Sequence, residues 1–193
     1  MENPNKKVLP NILITGTPGT GKTTLSSILT HQLNEFLASI DISETIRFKH
    51  LEVSKIVNEN KLYSNIDENL DCTVFDEDKL LDFLEPHVPA GGYIVDFHSN
   101  SFFPERYFNF VFVMKTANTV LYDRLKAREY SELKIKNNVE CEIFQECYND
   151  AMESYRSDIV WTFTNNVETD MNGIINQIYS IFKEKGVFNH FKQ

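Results

Sequence analysis

The sequence predicts an α/β domain with a central five-stranded parallel sheet and helices on both faces. Short apolar segments typical of strands alternate with helical patterns of ten or more residues, as in βα units. Two of these segments, YIVDF at residues 93–97 and FVFVM at 110–114, are apolar runs of the kind found in parallel strands buried on both faces. A chain of 193 residues can bury one core, so we expect one domain over residues 1–193.

Each element follows from the spacing of apolar residues and from the capping and breaking residues around it. Residues 12–14 predict the first strand, and a helix begins at residue 22 with apolar residues in helical register. Asp76 is placed to cap a helix over residues 77–85, whereas residues 63–78 are polar and acidic and predict a solvated loop. The remaining predicted strands are 46–53, 93–97, 110–114 and 158–163, and the remaining predicted helices are 54–60, 117–128, 140–156 and 171–185.

The stretch GTPGTGKT at residues 16–23 has the spacing of a phosphate-binding loop. Because it follows a strand and opens a helix, its backbone N–H groups and the helix N-terminus would face anionic oxygens. We expect Lys22 to reach the β- and γ-phosphates of ATP, Thr23 to bind Mg²⁺ and Thr24 to contact the α-phosphate. The predicted ATP-binding residues are Gly19, Thr20, Gly21, Lys22, Thr23 and Thr24. The alternative is an ordinary glycine-rich turn with a surface lysine, which leaves the register of strand, loop and helix unexplained.

Net charge, cysteine content and hydropathy indicate which kinds of partner and cellular compartment to expect. The net charge of −9 and the pI near 5.0 argue against a broad basic surface for nucleic acid. Cys72, Cys141 and Cys147 form no Cys-x-x-Cys pair, so we expect reduced thiols in an intracellular protein rather than a disulfide framework. The sequence contains no signal peptide and no apolar run long enough for a bilayer, so we expect the nucleus, the cytoplasm or both.

Asp96 stands at the end of an apolar strand, where the ligands of open α/β sheets bind. A phosphate-loop enzyme uses such a carboxylate to hold Mg²⁺, and we expect Asp96 to do so through water. His98 follows two residues later and would emerge on the same side, where it could orient a hydroxyl or water or contact an acceptor phosphate. The alternative for His98 is a capping histidine at a strand end.

Three arginines are candidates for binding phosphate. Arg106, in FFPER, could clamp the phosphate of an acceptor, or it could be an exposed loop residue. Arg124 and Arg128 lie four apart on a predicted helix, so both guanidinium groups would share one face. From a lid they would offset the charge that develops during phosphoryl transfer. The alternative is a solvated charged face.

Several stretches together resemble the adenylate kinase isoenzyme 6 family, a group of small atypical nuclear adenylate kinases that also serve in ribosome assembly. They are LPNILITGTPGTGKTTL, LDCTVFDEDKLLD, IVDFHSNSFFPERYFNFVFV, LYDRLKAREY and VECEIFQECYNDAMESY, and they run from Leu9 to about Tyr155. The DED stretch combined with DFH and FFPER is far more specific than the phosphate loop alone.

The resemblance implies the fold of a P-loop nucleoside monophosphate kinase. It implies MgATP on residues 19–24, an AMP-binding segment over about 52–75, and a short lid over about 127–137. It also implies that Asp96 and His98 form an Asp-x-His site and that Arg128 contacts ATP from the lid. Members are described as kinases and ATPases that bind a small-subunit ribosomal protein, so the resemblance implies a role in small-subunit maturation.

Two departures from the family bear on function. Residues 34–47 are longer than the family pattern and predict a lengthened helix and loop. Asn58 stands where the family carries an arginine in its AMP segment, and an asparagine cannot neutralise a phosphate. Unless Lys55 or Lys61 substitutes, we expect weakened AMP affinity.

The leading hypothesis from the sequence is therefore transfer of the γ-phosphoryl group of MgATP to AMP, with ATPase activity beside it. Lys22, His98, Arg124 and Arg128 are the predicted catalytic residues, and Asn58, His98 and Arg106 the predicted AMP-binding residues. One alternative is an ATP-hydrolysing assembly factor that acts on a ribosomal protein partner with little kinase activity. Another keeps the fold and changes the acceptor to a different nucleotide or a small alcohol.

Overall fold

A five-stranded parallel sheet forms the centre of the computed structural model, which describes residues 9–67 and 72–189. The strands are β1 (Ile12–Thr15), β2 (Lys49–Glu52), β3 (Tyr63–Asp67), β4 (Cys72–Phe75), β5 (Tyr93–Asp96), β6 (Phe110–Lys115) and β7 (Val160–Thr164). The helices are α1 (Lys22–Ser39), α2 (Val53–Glu59), α3 (Glu77–Leu84), α4 (Asn118–Ala127), α5 (Glu132–Ile143), α6 (Glu146–Ser154) and α7 (Asp170–Glu184). The sheet order is β2-β5-β1-β6-β7, so β1 is central and the predicted fold class is confirmed.

Successive side chains of each strand point to opposite faces of the sheet, so the core consists of two apolar layers, one on each face. Ile12 and Ile14 face the layer formed by α1 and α7, whereas Leu13 faces the layer formed by α2, α3 and α6. A third, smaller cluster joins α4 to α5 through Leu121, Leu125 and Ile135. The sheet is therefore covered on both faces, and its carboxyl edge carries the loops that form the cleft described below.

Residues 63–78, predicted as a loop, instead contain an antiparallel hairpin, so that prediction is wrong. Tyr63 pairs with Phe75 and Asn65 with Val74, with a register shift between the two pairs, and the Phe75 ring lies 5.1 Å from that of Phe97. Mutual pairing satisfies the backbone groups and Phe75 anchors the hairpin, so polar side chains elsewhere do not prevent strand formation. Asp76 caps α3 as predicted, accepting from the Lys79 N–H at 3.1 Å. The acidic positions at 68 and 71 lie outside the described residues.

Two other boundaries differ from the prediction. The predicted helix over residues 140–156 is two helices, because Gln145 adopts a left-handed conformation with φ 54° and reorients the chain between α5 and α6. The predicted strand over residues 46–53 is shorter, since α2 already begins at Val53.

Within residues 34–47, helix α1 continues to Ser39 and is followed by a loop. The side chain of Asn34 closes this loop with two hydrogen bonds to Phe48, donating to its carbonyl at 3.0 Å and accepting from its N–H at 2.7 Å. The predicted helix followed by a loop is thus confirmed, whereas its greater length relative to the family stays a prediction. Among the described residues, no helix combines the length and apolarity needed to cross a membrane.

Candidate active site

A cleft of about 740 Å³ opens at the carboxyl edge of the sheet. The phosphate loop and the first turn of α1 form its floor, α2 and the β3–β4 hairpin form one arm, and α5 and α6 form the opposite wall. Asp96 and His98 lie between these parts, at the end of β5. The predicted phosphate-loop residues that line the cleft are Gly19, Gly21, Lys22, Thr23 and Thr24.

Glycine is required in the phosphate loop by conformation and by space. Gly19 and Gly21 both have φ 99°, in the left-handed region that disfavours other residues. A Cβ on Gly19 would lie 2.8 Å from the Leu121 side chain, and a Cβ on Gly21 would collide with the Asn165 amide. Thr20, also predicted to bind ATP, is buried and does not line the cleft, and its hydroxyl donates to the Thr17 carbonyl at 2.9 Å.

Lys22 lies folded against its own loop. Its Nζ donates to the carbonyl of Thr17 at 3.1 Å, and only 9% of the residue is exposed. Burial lowers the pKa of Lys22, and the Asp96 carboxylate partly opposes that shift by favouring the ammonium form. Among the described residues, the ammonium group thus has one carbonyl as its hydrogen-bond partner at the cleft, and a phosphate could replace it.

Asp96 is buried at the end of β5, and its Oδ2 faces Nε2 of His50 at 3.5 Å. Neither atom forms a hydrogen bond with another described residue, so the carboxylate has capacity for a further partner. Sequence reasoning missed His50, although it lies on β2 in register with Ile94, two residues before Asp96. The shared face follows from the strand alternation.

His98 projects into the cleft beside the ring of Phe97, with ring centroids 4.5 Å apart. Its carbonyl accepts hydrogen bonds from the Thr15 hydroxyl at 3.3 Å and from the Cys147 thiol at 3.4 Å, which fix the backbone at this position. The His98 side chain is exposed to the open cleft, but the atoms of the surrounding walls and the nearby Lys22 charge still lower the pKa of His98 to about 4. His98 is therefore neutral at pH 7 and can accept a proton or a hydrogen bond.

We expect the His98 ring resonances of the metal-free protein to stay constant from pH 8 to about pH 5.5 in NMR spectra, because an unperturbed histidine titrates near 6.5. A His98→Gln variant assigns the resonance. Since the unfolded ring takes up a proton below about pH 6.5 and the folded ring does not, stability should fall from that pH towards pH 4. The loss should be smaller in His98→Gln. A His98 midpoint near 6.5 would contradict this environment.

The arm formed by α2 and the hairpin includes Asn58, which lines the cleft as expected of an acceptor-binding residue. Its Oδ1 accepts from the Thr73 hydroxyl at 3.1 Å, which ties α2 to the hairpin. None of the described cleft-lining residues in this arm is cationic: they are Glu52, Ser54, Val57, Asn58, Thr73 and Phe75. Lys55 is exposed and pairs with Glu59 at 3.8 Å, so it does not substitute for a cation there, and Lys61 does not line the cleft.

The three candidate arginines occupy different environments. Arg128 lines the cleft and lies near enough to Lys22 to contribute to its lowered pKa. Arg124 does not line the cleft: it donates to the carbonyls of Gly19 at 3.3 Å, Asn165 at 3.0 Å and Asn166 at 3.1 Å. The expected pair of lid arginines is therefore corrected to Arg128 alone, since Arg124 holds the loop after β7 against the phosphate loop.

Arg106 lies at the opposite end of the sheet, so its predicted contact with an acceptor phosphate is wrong. It precedes the amino end of β6, and the neighbouring Tyr107 carbonyl accepts a hydrogen bond from Asn11, just before β1, at 2.9 Å. Its side chain is 70% exposed, with a 3.6 Å contact to Glu85. The exposed-loop alternative accounts for this residue.

The wall opposite the acceptor arm includes part of the segment over about 127–137 that the resemblance implies as a lid, but among its described lining side chains the sequence predicted a role for Arg128 alone. Tyr130, Lys134, Asn137, Asn138 and Cys141 line the cleft, and all but Tyr130 lie on α5. Burial raises the pKa of Cys141 to about 12 and that of Cys147 to about 11, so both thiols are protonated at pH 7. No cluster of metal-binding side chains occurs among residues 9–67 and 72–189.

Glu142, in the last turn of α5, joins this wall to the phosphate loop. Its Oε2 accepts from the Thr17 hydroxyl at 2.6 Å, and its Oε1 accepts from the Thr116 N–H at 2.8 Å. No sequence pattern indicated this contact, because Thr17 and Thr116 lie 125 and 26 residues away from Glu142 along the chain.

A parallel sheet with a glycine-rich loop around a buried lysine, and with Asp96 at the neighbouring strand end, defines a P-loop nucleotide-binding enzyme of the kinase type. Solved shikimate kinases share the fold at low sequence identity. The Acinetobacter baumannii enzyme has a TM-score of 0.58 and 14% identity over 94% of this chain and 98% of its own, and the Bacteroides thetaiotaomicron enzyme a TM-score of 0.56 and 14% identity over 90% and 98%.

The chain belongs to the adenylate kinase isoenzyme 6 family. It is 41% identical to the Drosophila melanogaster homolog of adenylate kinase isoenzyme 6 over 188 residues, covering 96% of this chain and 100% of the relative. It is 46% identical to the Caenorhabditis elegans homolog over 162 residues, covering 83% and 82%. Residues 12–145 also match the AAA domain family.

Proposed function

We propose that this protein transfers the γ-phosphoryl group of MgATP to AMP, giving two ADP. The observation that carries the proposal is a single cleft in which the phosphate loop, Lys22, Asp96 and His98 face an arm separate from the nucleotide floor. An enzyme of this type acts by positioning its substrates and offsetting charge rather than by covalent chemistry. The names of the curated relatives support AMP as the acceptor.

The residues at the cleft suit Mg²⁺. The Asp96 carboxylate has a buried oxygen without a hydrogen-bond partner among the described residues, and the Thr23 hydroxyl lines the same cleft. Hard oxygen ligands of this kind, completed by phosphates and water, are what Mg²⁺ prefers. We assign Thr23 as a direct ligand and Asp96 as a ligand through water. When bound with ATP, Mg²⁺ neutralises charge on the β- and γ-phosphate oxygens.

Each side chain of the cleft has a distinct part in the proposed reaction. Lys22 leaves the Thr17 carbonyl and binds the β- and γ-phosphate oxygens, because an ammonium–phosphate contact is stronger than its contact with a neutral carbonyl. Arg128 approaches the transferred group from the wall opposite the acceptor arm and offsets its charge. Neutral His98 donates its ring N–H to a phosphate oxygen of the acceptor, or accepts a hydrogen bond from a water, and so orients that group towards the γ-phosphate.

The second candidate function is ATP hydrolysis as a switch in the assembly of the small ribosomal subunit, as the family resemblance implies. The observation that favours it is the acceptor arm, whose described lining residues include Glu52 and no cation to bind the AMP phosphate. In this case His98 orients a water instead of an acceptor. The partner would be a small-subunit ribosomal protein, and the site of action the nucleus, the cytoplasm or both.

Product analysis by chromatography tests the two candidates. Purified protein is incubated with MgATP alone and with each common monophosphate. Faster ADP formation with AMP, at two ADP per ATP consumed, establishes the kinase. Equal amounts of ADP and free phosphate, unaffected by AMP, establish the ATPase and contradict AMP as the acceptor.

We expect Asn58→Arg to raise kcat/KM for AMP about tenfold or more, chiefly by lowering the KM for AMP. Asn58 lines an arm with no described cation, and a guanidinium there can bind a phosphate bidentately. Initial rates at varied AMP measure the effect, and Asn60→Arg, on an exposed residue outside the cleft, is the matched control. An unchanged KM for AMP would mean that the acceptor phosphate does not approach residue 58.

A further inference from the structure

Glu142 holds two buried donors with one carboxylate. Thr17 and Thr116 are 1% and 4% exposed, and their bonds to Glu142 are 2.6 Å and 2.8 Å long. Short hydrogen bonds to an ionised carboxylate are about twice as strong as bonds between neutral groups. The C-terminal turn of α5 is thereby fastened both to the phosphate loop and to the end of β6.

Thr17 also determines the resting position of the phosphate-loop lysine. Its hydroxyl binds Glu142, while its carbonyl accepts from Lys22 Nζ at 3.1 Å and from the Thr20 N–H at 3.2 Å. In the proposed reaction Lys22 leaves this carbonyl for a phosphate. Thr17 then loses one of its restraints: Thr20 still donates to its carbonyl, and Glu142 still holds its hydroxyl.

Helix α5 is bounded by two non-glycine residues in the left-handed region, Glu129 with φ 58° and Gln145 with φ 54°. Such residues mark abrupt changes of chain direction. Between them, α5 presents Lys134, Asn137 and Cys141 to the cleft. The helix is thus a distinct segment of the wall, with its C-terminal end attached to the floor at Glu142.

We propose that Glu142 is a positioning residue that couples nucleotide binding in the phosphate loop to the placement of α5 over the cleft. The proposal rests on the ATP site of the proposed function. Because Glu142 holds Thr17, the backbone N–H groups of the loop keep their orientation when Lys22 moves to the phosphates. The same carboxylate lies in the last turn of α5. When nucleotide binding orders the phosphate loop, that ordering is therefore transmitted to the cleft wall that carries Lys134 and Asn137.

The test compares Glu142→Ala with Glu142→Gln and with Glu140→Ala. Glu140 lies on the same helix and is about half exposed, and its ion pair within the described part of the chain is with Lys136 at 3.8 Å, so its variant should behave as wild type. A glutamine can still accept from the Thr116 N–H and donate to the Thr17 hydroxyl, so Glu142→Gln should restore much of the loss. Steady-state kinetics, ATP binding by calorimetry and amide hydrogen exchange with and without MgADP are measured for each.

We expect Glu142→Ala to lower kcat by about tenfold or more while ATP affinity changes less, since the lost hydrogen bonds act on placement rather than on direct contact. In wild type, MgADP should slow exchange across residues 132–143. That protection should disappear in Glu142→Ala although MgADP still binds. Thr17→Val should reproduce the loss of protection, and the double variant should add little to it.

Wild-type kcat and undiminished MgADP protection of α5 in Glu142→Ala would overturn the proposal. So would equal losses of kcat, ATP affinity and melting temperature in Glu142→Ala and Glu142→Gln, because a purely structural role predicts that pattern. If wild-type protein failed to bind ATP at all, the proposed function itself would fail. The separate calorimetric measurement on wild type distinguishes that result from failure of the coupling.

Discussion

Lys22→Ala should abolish triphosphate chemistry of every kind, with kinase and ATPase turnover both reduced about a thousandfold or more. Lys22 is the cation at the centre of the phosphate loop, and its single described hydrogen-bond partner is the Thr17 carbonyl. A phosphate can therefore replace that carbonyl without breaking an ion pair. The reaction loses its main source of charge compensation at the β- and γ-phosphates when this side chain is removed. Chromatographic measurement of ADP formation, with and without AMP, gives the rate.

Lys126→Ala is the matched control for Lys22→Ala. Lys126 is an exposed lysine on α4 that does not line the cleft, and its described contact is with the ring of Tyr122 at 5.8 Å. Its removal should leave turnover within about twofold of wild type, as for most surface substitutions. Residual turnover of Lys22→Ala near the wild-type rate would place the chemistry outside the phosphate loop and would contradict the whole site.

Asp96→Asn should lower turnover about a hundredfold and should also weaken the dependence of ATP affinity on Mg²⁺, because Thr23 and the phosphates still hold the ion. The carboxylate is buried, faces the cleft, and has an oxygen with no hydrogen-bond partner among the described residues. Asparagine preserves the shape but removes the charge that holds a divalent cation. Calorimetric titration of ATP with and without Mg²⁺ provides a measurement that does not depend on catalysis.

Asp82→Asn, on the exposed face of α3, controls for a general effect of removing one negative charge. It should keep both turnover and the Mg²⁺ dependence of ATP binding. If Asp96→Asn bound ATP with the wild-type response to Mg²⁺, the carboxylate would act on protein neighbours such as His50 or Lys22 instead. The assignment of Asp96 to the metal would then be wrong.

The central parts of the site could be predicted from the sequence because they depend on local features. The phosphate loop is a continuous motif between a strand and a helix, and Asp96 lies where a parallel strand ends. The wall formed by α5 could not be predicted in this way. Whether Tyr130 or Lys134 reaches the cleft depends on how α5 packs against α4 through Ile135, which is a tertiary contact without a sequence motif.

The errors in the arginines have physical reasons of their own. The chain that leaves β5 must return to the amino edge of the sheet before β6 begins, because the two strands run parallel to the same neighbour, β1. Arg106 lies near the end of that return and is therefore far from the cleft. Arg124 shares a helix face with Arg128, but one helical turn is enough to place it on the carbonyls behind the phosphate loop.

The loop after α1 has a practical consequence for work on this protein. Helix α1 carries the chain from the phosphate loop to the far edge of the sheet, and Asn34 and Phe48 close the loop over residues 40–47 there. Neither the loop over residues 40–47 nor Asn34 nor Phe48 lines the cleft. A fluorescent dye or an affinity tag attached within this loop would report on the protein from a distance, without entering the space where nucleotides bind.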